Sequence, residues 1–345
     1  MFMTGMERIR MLMDGLLPDR VPVICNLMEQ GAEELGLSIG EYYTRGEYVA
    51  EGQLRLRRKY GYDNLCGYFY MARDAEMLGC RKVVYAQDGP PNVGQLIIRC
   101  LADIEALEVP ADVAVTPAFQ EVGACLGILK SEQGGNYPVM GAVVGSFSLP
   151  SLLMGMDKWM RLFLLGPDRL RLELLEKCSD FCIRHIRAVK AAGADLVAYV
   201  NPVASATFLT LPQFRELALP WIRRDLEAVG AERMVYFNGG GVINPQIETI
   251  LKQTGIGAYY LNPMDDIIEA KGMVGSKALV VGTFNDLRLV NWERDAIERE
   301  VARIMTAGAL GGGFLFGTPA MPTLIPEDKI RIMLEAAYRM GKYQV

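Results

Sequence analysis

Eight times along the chain, a short run of β-branched, aromatic and small apolar residues closes on Gly, Pro or Asn and gives way to helical periodicity. The runs are VPVICN (21–26), NLCGYFY (64–70), VMGAVVGSF (139–147), LVAYVN (196–201), RMVYFN (233–238), GAYYLN (257–262), ALVVGTFN (278–285) and GGFLFGT (312–318). Nearly all are apolar on both faces, the pattern of parallel strands covered on both sides. Helical stretches fill the intervals, clearest at 167–193, 210–230 and 293–308, with Gly193, Gly230 and Gly308 predicted as the glycines just past their ends. Strands alternating with helices and no linker-like stretch predict an α/β fold, a single (β/α)8 TIM barrel spanning 1–345. The opening MFMTGMERIRMLMDG reads as an amphipathic N-terminal helical extension, and RKVVYAQDGPPNVGQLIIR (81–99) as a hairpin inserted after strand two. A doubly wound open sheet is the competing architecture. It would carry a glycine-rich phosphate turn early, whereas the first strand here ends in NLMEQG.

A net charge of -5 and the lack of any basic run argue against a nucleic-acid surface. The N-terminus has no uninterrupted apolar core of the signal-peptide kind, and no apolar run is long enough to span a bilayer. Seven cysteines at irregular spacing point to reduced thiols and a cytoplasmic protein. Cys178 and Cys182 share one helical face, which reads as packing because no histidine or second pair accompanies them.

In a barrel, the residues at the C-terminal ends of the strands face the site. Four successive strands end in asparagine, Asn201, Asn238, Asn262 and Asn285, and Asn26 ends the first. Asparagine is also a common turn and cap residue, which accounts for any one of them. The run as a whole suits a pocket that holds a neutral or weakly polar ligand, since carboxamides offer donors and acceptors without charge. Glu29 after strand one and Asp74 after strand two are the acids on the same rim; a first-turn role for Asp74 is the structural alternative. Asp265 and Asp266 read as caps of the next helix. Tyr68, Tyr70, Tyr236, Tyr259 and Tyr260 fall on strands, where most belong to the core and one phenol in the pocket would serve as a proton donor. The single histidine, His185, reads as a solvated or partly buried helix position, so neither a Ser-His-Asp relay nor a two-histidine zinc site is expected. Cys25 and Cys66 lie inside predicted strands and no cysteine is expected at a strand terminus.

Several segments, taken in order, resemble the uroporphyrinogen decarboxylase superfamily. They are ERIRMLMDGLLPDRVPV, ARDAEMLGC (72–80), GSFSLPSLLMG (145–155), AAGADLVAYVNPVAS (191–205), PQFRELALPWI (212–222), FNGGG (237–241), DDIIEAKG, VGTFND, GGGFLFGT and LIPEDKIRIMLEAAYRMG. The resemblance covers almost the whole chain and implies a (β/α)8 barrel with one site at its C-terminal face. It also divides two chemistries, tetrapyrrole decarboxylation and methyl transfer with a corrinoid protein. The decarboxylases carry arginines after strand one, where this chain has NLMEQGAEE with Glu29. Asp74 falls where the family keeps an acid. The thiol-methylating relatives hold zinc with a His-x-Cys pair after the fifth strand and a cysteine after the eighth. The matching segments here are Phe237-Asn238-Gly239 and the stretch around Thr318-Pro319, so no zinc is expected. Asn201, Asn262 and Asn285 stand where relatives often keep aspartate.

These features together predict a corrinoid-dependent methyltransferase of the O-demethylase type, closer to the methyltransferase branch than to the true decarboxylases. It would move a methyl group from a small methylated donor, an aryl methyl ether, to the cobalt of a separate corrinoid protein. Asp74 or Glu29 would act as general acid, aided by Tyr70. Asn201, Asn238, Asn262 and Asn285 would orient the substrate, and Phe147 would pack its ring. The alternatives are methyl transfer from a methylcorrinoid to tetrahydrofolate, a uroporphyrinogen decarboxylase (lyase) activity, and a non-catalytic binder. A homodimer is a family-level expectation.

Overall fold

The computed structural model describes residues 3–87 and 89–343. All eight predicted strands are present as a parallel sheet: β1 (Val23–Leu27), β2 (Leu65–Cys66), β3 (Val139–Val144), β4 (Leu196–Val200), β5 (Met234–Phe237), β6 (Ala258–Tyr260), β7 (Leu279–Thr283) and β8 (Phe314–Met321). Hydrogen-bonded ladders run from β2 through β3 to β8 and on to β1, so the sheet curls into a nearly closed barrel with helices outside. β1 and β2 share no ladder. Their seam is drawn together by the Asp63 N–H donating to Val23 O at 2.8 Å, the Asp63 carboxylate accepting from Val23 N at 2.8 Å, and Asn64 Oδ1 accepting from Cys25 N at 2.9 Å.

The predicted insertion is a two-stranded antiparallel hairpin in which Val83 pairs with Val93 and Val84 with Asn92. Asp88 of its DGPP turn, and Met1 and Phe2 of the N-terminal helix reading, lie outside the described residues. That helix runs Gly5–Met13, opened by a capping box between Thr4 and Glu7. It crosses the N-terminal end of the barrel, tied down by Arg8 to Asp19 at 2.6 Å and to Asp63 at 2.9 Å.

One helical expectation holds and two need adjustment. The 167–193 stretch forms one helix, Asp168–Ala191, with Gly193 at φ +115 as expected of the residue that turns the chain out. The 210–230 stretch does not form one continuous α-helix: a π turn at Phe214–Ala218 separates Leu211–Gln213 from Leu219–Val229. Pro220 explains the break, since its ring conflicts with the carbonyl four residues back and it has no N–H to offer. Gly308 ends the helix Arg294–Gly308 from within rather than beyond it. A side chain at Gly308, as at Gly282 of β7, would overlap the ring of Phe314, so both glycines serve close packing. Among the described residues, no helix is long and apolar enough to cross a membrane.

Candidate active site

Toward the C-terminal ends of the strands a small apolar cluster, the basin, comes together. Ala142, Ala198 and Val200 form its wall, and Tyr68, Met71 and Phe237 pack against them while remaining half-buried. Below lies a polar network spanning four strands. Asn26 Nδ2 donates to the Tyr260 hydroxyl at 3.0 Å and to Thr318 O at 2.7 Å, Tyr260 itself donates to Thr318 O at 2.6 Å, and the Cys66 thiol donates to Asn26 Oδ1 at 3.4 Å. Cys66 is the last residue of β2, so one cysteine does sit at a strand terminus, contrary to expectation. The apolar run 64–70 outlasts the ladder by several residues, which concealed that ending. Burial pushes the Cys66 thiol up to about 12, so it stays neutral.

Glu29 follows β1 and is 2% exposed. Its Oε1 accepts from the Tyr43 hydroxyl at 2.9 Å, and among the described residues no cation pairs with it. Burial raises its carboxyl pKa, and the Tyr43 hydrogen bond only partly opposes this. Tyr68 is close enough that, after burial itself and the Cys66 and Tyr260 groups, the Glu29 charge further disfavours its ionised form.

Asp74 lies in the short helix Ala72–Met77 and is buried. Its Oδ2 accepts from Val144 N at 3.0 Å, taking up the edge of β3 that β2 vacates when it stops after two residues. His185 Nδ1 stands 3.4 Å from the same oxygen. His185 is thus not solvated: it is 2% exposed, flanked by Phe119 and Phe181 with ring centroids at 5.8 and 5.4 Å. Helical periodicity gave its place on the helix but not the acid across from it. Tyr70 sits to one side, its hydroxyl donating to Glu76 at 2.7 Å, accepting from Arg73 at 3.1 Å and meeting Tyr85 of the hairpin at 3.3 Å. Its ring meets that of Tyr43 edge-on at 5.0 Å, which links it to Glu29 through one side chain.

The four asparagines separate into two pairs. Asn262 has both amide atoms engaged, Nδ2 on Gly240 O at 2.7 Å and Oδ1 on Met264 N at 2.8 Å. Asn285 caps the turn Asp286–Leu289 by accepting from Arg288 N at 3.3 Å. Asn201 accepts from Ser148 Oγ at 2.9 Å, and its carboxamide lies so close to Gly145 that only glycine fits there. Among the described residues its Nδ2 is buried without a partner, as is Oδ1 of Asn238. Buried polar atoms are seldom left so, and the two amides retain binding capacity. Phe147 is fully buried, its ring against Phe163 at 4.9 Å and Trp159 at 5.7 Å, away from the basin residues. Asp286 was missed in the sequence, masked by Asn285 beside it. It is 6% exposed, and burial pushes its carboxyl up to about 6.

The segments expected to match the zinc-holding ones, Phe237-Asn238-Gly239 and the stretch around Thr318-Pro319, offer neither thiolate nor imidazole. Among the described residues no three His, Cys, Asp or Glu side chains converge on a common point.

The family model described as uroporphyrinogen decarboxylase (URO-D) matches residues 4–340. A methylcobamide:CoM methyltransferase of Methanosarcina mazei is 24% identical over 341 residues, 97% of this chain and 97% of that protein. A uroporphyrinogen decarboxylase of Saccharopolyspora erythraea is 28% identical over 255 residues, 66% of this chain and 68% of that protein. Among solved structures, a methyltransferase from Methanosarcina mazei superposes with a TM-score of 0.83 at 20% identity, covering 98% of this chain and 99% of that one. Likeness over the full length therefore runs to the methyltransferase branch.

Proposed function

The chain belongs to the uroporphyrinogen decarboxylase (URO-D) family, and on that premise we propose that it is a corrinoid-dependent methyltransferase that demethylates an aryl methyl ether. The observation that carries this reading is Glu29, a buried carboxyl whose pKa burial raises, close to Tyr68 at the edge of an apolar cluster that also holds Phe237. A reduced corrinoid, carried by a partner protein docked at the barrel mouth, supplies the nucleophile for the methyl carbon.

What remains for the chain is to hold the ether and to receive its oxygen. In this reading Tyr68 and Phe237 flank the ring, and the small apolar side chains of Ala142, Ala198 and Val200 line the other side. When the carbon–oxygen bond breaks, its electron pair passes to the oxygen. The proton for that oxygen comes from Glu29 Oε2, since Oε1 is held by Tyr43. Stabilising charge that develops on the leaving oxygen lowers the barrier without tightening substrate binding. Asn201 Nδ2 and Asn238 Oδ1 are available to orient ring substituents. Asp74 and Tyr70 support this arrangement, Asp74 through Val144 and Tyr70 through Tyr43.

Thiol methylation asks for a metal-bound thiolate, for which the residues here do not provide. Tetrapyrrole decarboxylation asks for cations around acetate groups; the arginine behind Tyr70, Arg73, is already engaged by Glu76 and Tyr70.

The test is to mix the purified protein with reduced cobalamin and a methoxyphenol and follow the absorbance of methylcobalamin. Absence of methyl transfer across a panel of methoxy compounds and methylamines would refute the proposal.

A further inference from the structure

The two faces of the barrel strands are packed differently. Residues facing the helices are sealed: Val23, Val139, Val197, Tyr236, Val280 and Phe314 are 0% exposed. Their neighbours facing the axis, Met140, Val235, Tyr260, Val281 and Leu315, are also buried, each at 4%, yet together with Ile24 they line a cavity where such interiors are normally filled by layers of side chains. The opening is at the N-terminal end, opposite the candidate active site. There the axial residues and the N-terminal helix enclose a cavity of about 510 Å³, within the about 300–1,000 Å³ usual for small-molecule sites. Gly257 and Ala258 of the β6 approach account for the missing volume. Tyr260 forms the roof, its hydroxyl held by Asn26 and Thr318, so the cavity is separate from the mouth.

The lining is apolar and adaptable. Met6, Met13, Met140 and Met234 all contribute to it, and methionine adjusts to irregular ligands. The rim carries Arg10 and Arg233, neither of which forms a salt bridge among the described residues; Arg233 Nη1 makes only a long contact to Ala194 O at 3.4 Å. Arg233 is also the one non-glycine residue described with a positive φ, +65. Backbone held in that region is strained and tends to mark functional positions. Lys190 lies near Arg233, its pKa lowered by burial and then by the Arg233 charge and raised by Glu232. Of the rim acids, Asp195 is engaged by Lys130 and Val139 N, and Glu232 lies against Gly230.

We propose that this cavity is a second ligand site, for a small amphipathic carboxylate whose apolar body enters the barrel axis and whose head meets Arg10 and Arg233. The site is independent of the methyl-transfer reading. Calorimetric titration of the full chain with sodium decanoate, with decyltrimethylammonium as the cationic control, tests it. Saturable one-site binding of decanoate is expected, about tenfold weaker in Arg233→Gln and in Arg10→Gln through loss of a charge-assisted contact. Ala258→Trp, which fills the cavity, abolishes binding while the melting temperature is retained. Should that variant not fold, the double variant Arg10→Glu with Arg233→Glu carries the test from the exposed rim and is expected to lose decanoate binding. No saturable decanoate binding, equal binding of the cation, or affinity retained in the folded Ala258→Trp or the double variant each overturns the proposal.

Discussion

The hydroxyl of Tyr43 donates to Glu29 Oε1 at 2.9 Å, inside a cluster of aromatic rings and with no cation beside the acid. Burial favours the protonated carboxyl while the phenol favours the carboxylate, and burial is the larger effect. The acid is therefore shifted in the direction that suits a proton donor.

Glu29→Gln keeps the shape of the site and removes the proton. The methyl-transfer rate should fall by about a hundred- to ten-thousand-fold, with little change in the thermal midpoint. In the parent protein the rate should decline as pH rises through the raised pKa of Glu29, and the variant should lack that limb. A rate–pH profile of both proteins is the check; a variant that retains the parent's rate removes Glu29 from the chemistry.

Tyr43→Phe removes a donor that favours the carboxylate, so the pKa of Glu29 should move further up. The basic limb of the rate profile then shifts to higher pH. The maximal rate should drop about two- to tenfold, the net worth of one hydrogen bond. A limb that moves to lower pH would show that Tyr43 does not act through Glu29.

Asp74 accepts from Val144 N, so its removal orphans a buried backbone donor. Asp74→Ala should cost on the order of 2 kcal/mol of stability in urea denaturation. Asp74→Asn keeps an acceptor there and should recover most of the loss, along with most of the methyl-transfer rate. Loss of activity in a stable Asp74→Asn would make this carboxylate a proton carrier instead of a support for β3.

Asp286 is raised by burial to about 6. Between the ordinary aspartate range and that value the folded chain binds more protons than the unfolded one. Stability from this group is thus present at low pH and is lost as pH rises through about 6. Asp286→Asn should flatten that slope, by on the order of 1–3 kcal/mol for a carboxyl raised from 3.8 to about 6. Melting curves from pH 4 to 8 on both proteins measure the difference.

The barrel was legible because doubly covered strands must be apolar on both faces, and runs such as VMGAVVGSF state that directly. What lies across from a residue was not. The apolar pattern of NLCGYFY continues past Cys66, where the chain has already left the ladder, so the length of β2 could not be read. His185 had a visible place on its helix, yet its proximity to Asp74 depends on how that helix packs against β3. The asparagines show the limit most clearly. The same residue at equivalent strand exits becomes a turn or cap residue at 262 and 285 but keeps an unpartnered amide atom at 201 and 238. The difference lies in which backbone groups the neighbouring loops present, and a single sequence does not display those.

The seam between β1 and β2 bears on how the chain reaches this structure. β1 is laddered only to β8, with Val23 opposite Phe316, so the backbone partner of the first strand is the last one made. Contacts so distant in sequence form slowly, and during synthesis β1 would be without its ladder until nearly all of the barrel exists. Asp63 offers a nearer hold: it accepts from Val23 N and pairs with Arg8 and Arg20, all within the first quarter of the chain. The acid that closes the seam is thus placed to keep an early strand in register while it waits. Pulsed hydrogen exchange during refolding should find the amides of β1 among the last protected, and later still in Asp63→Asn.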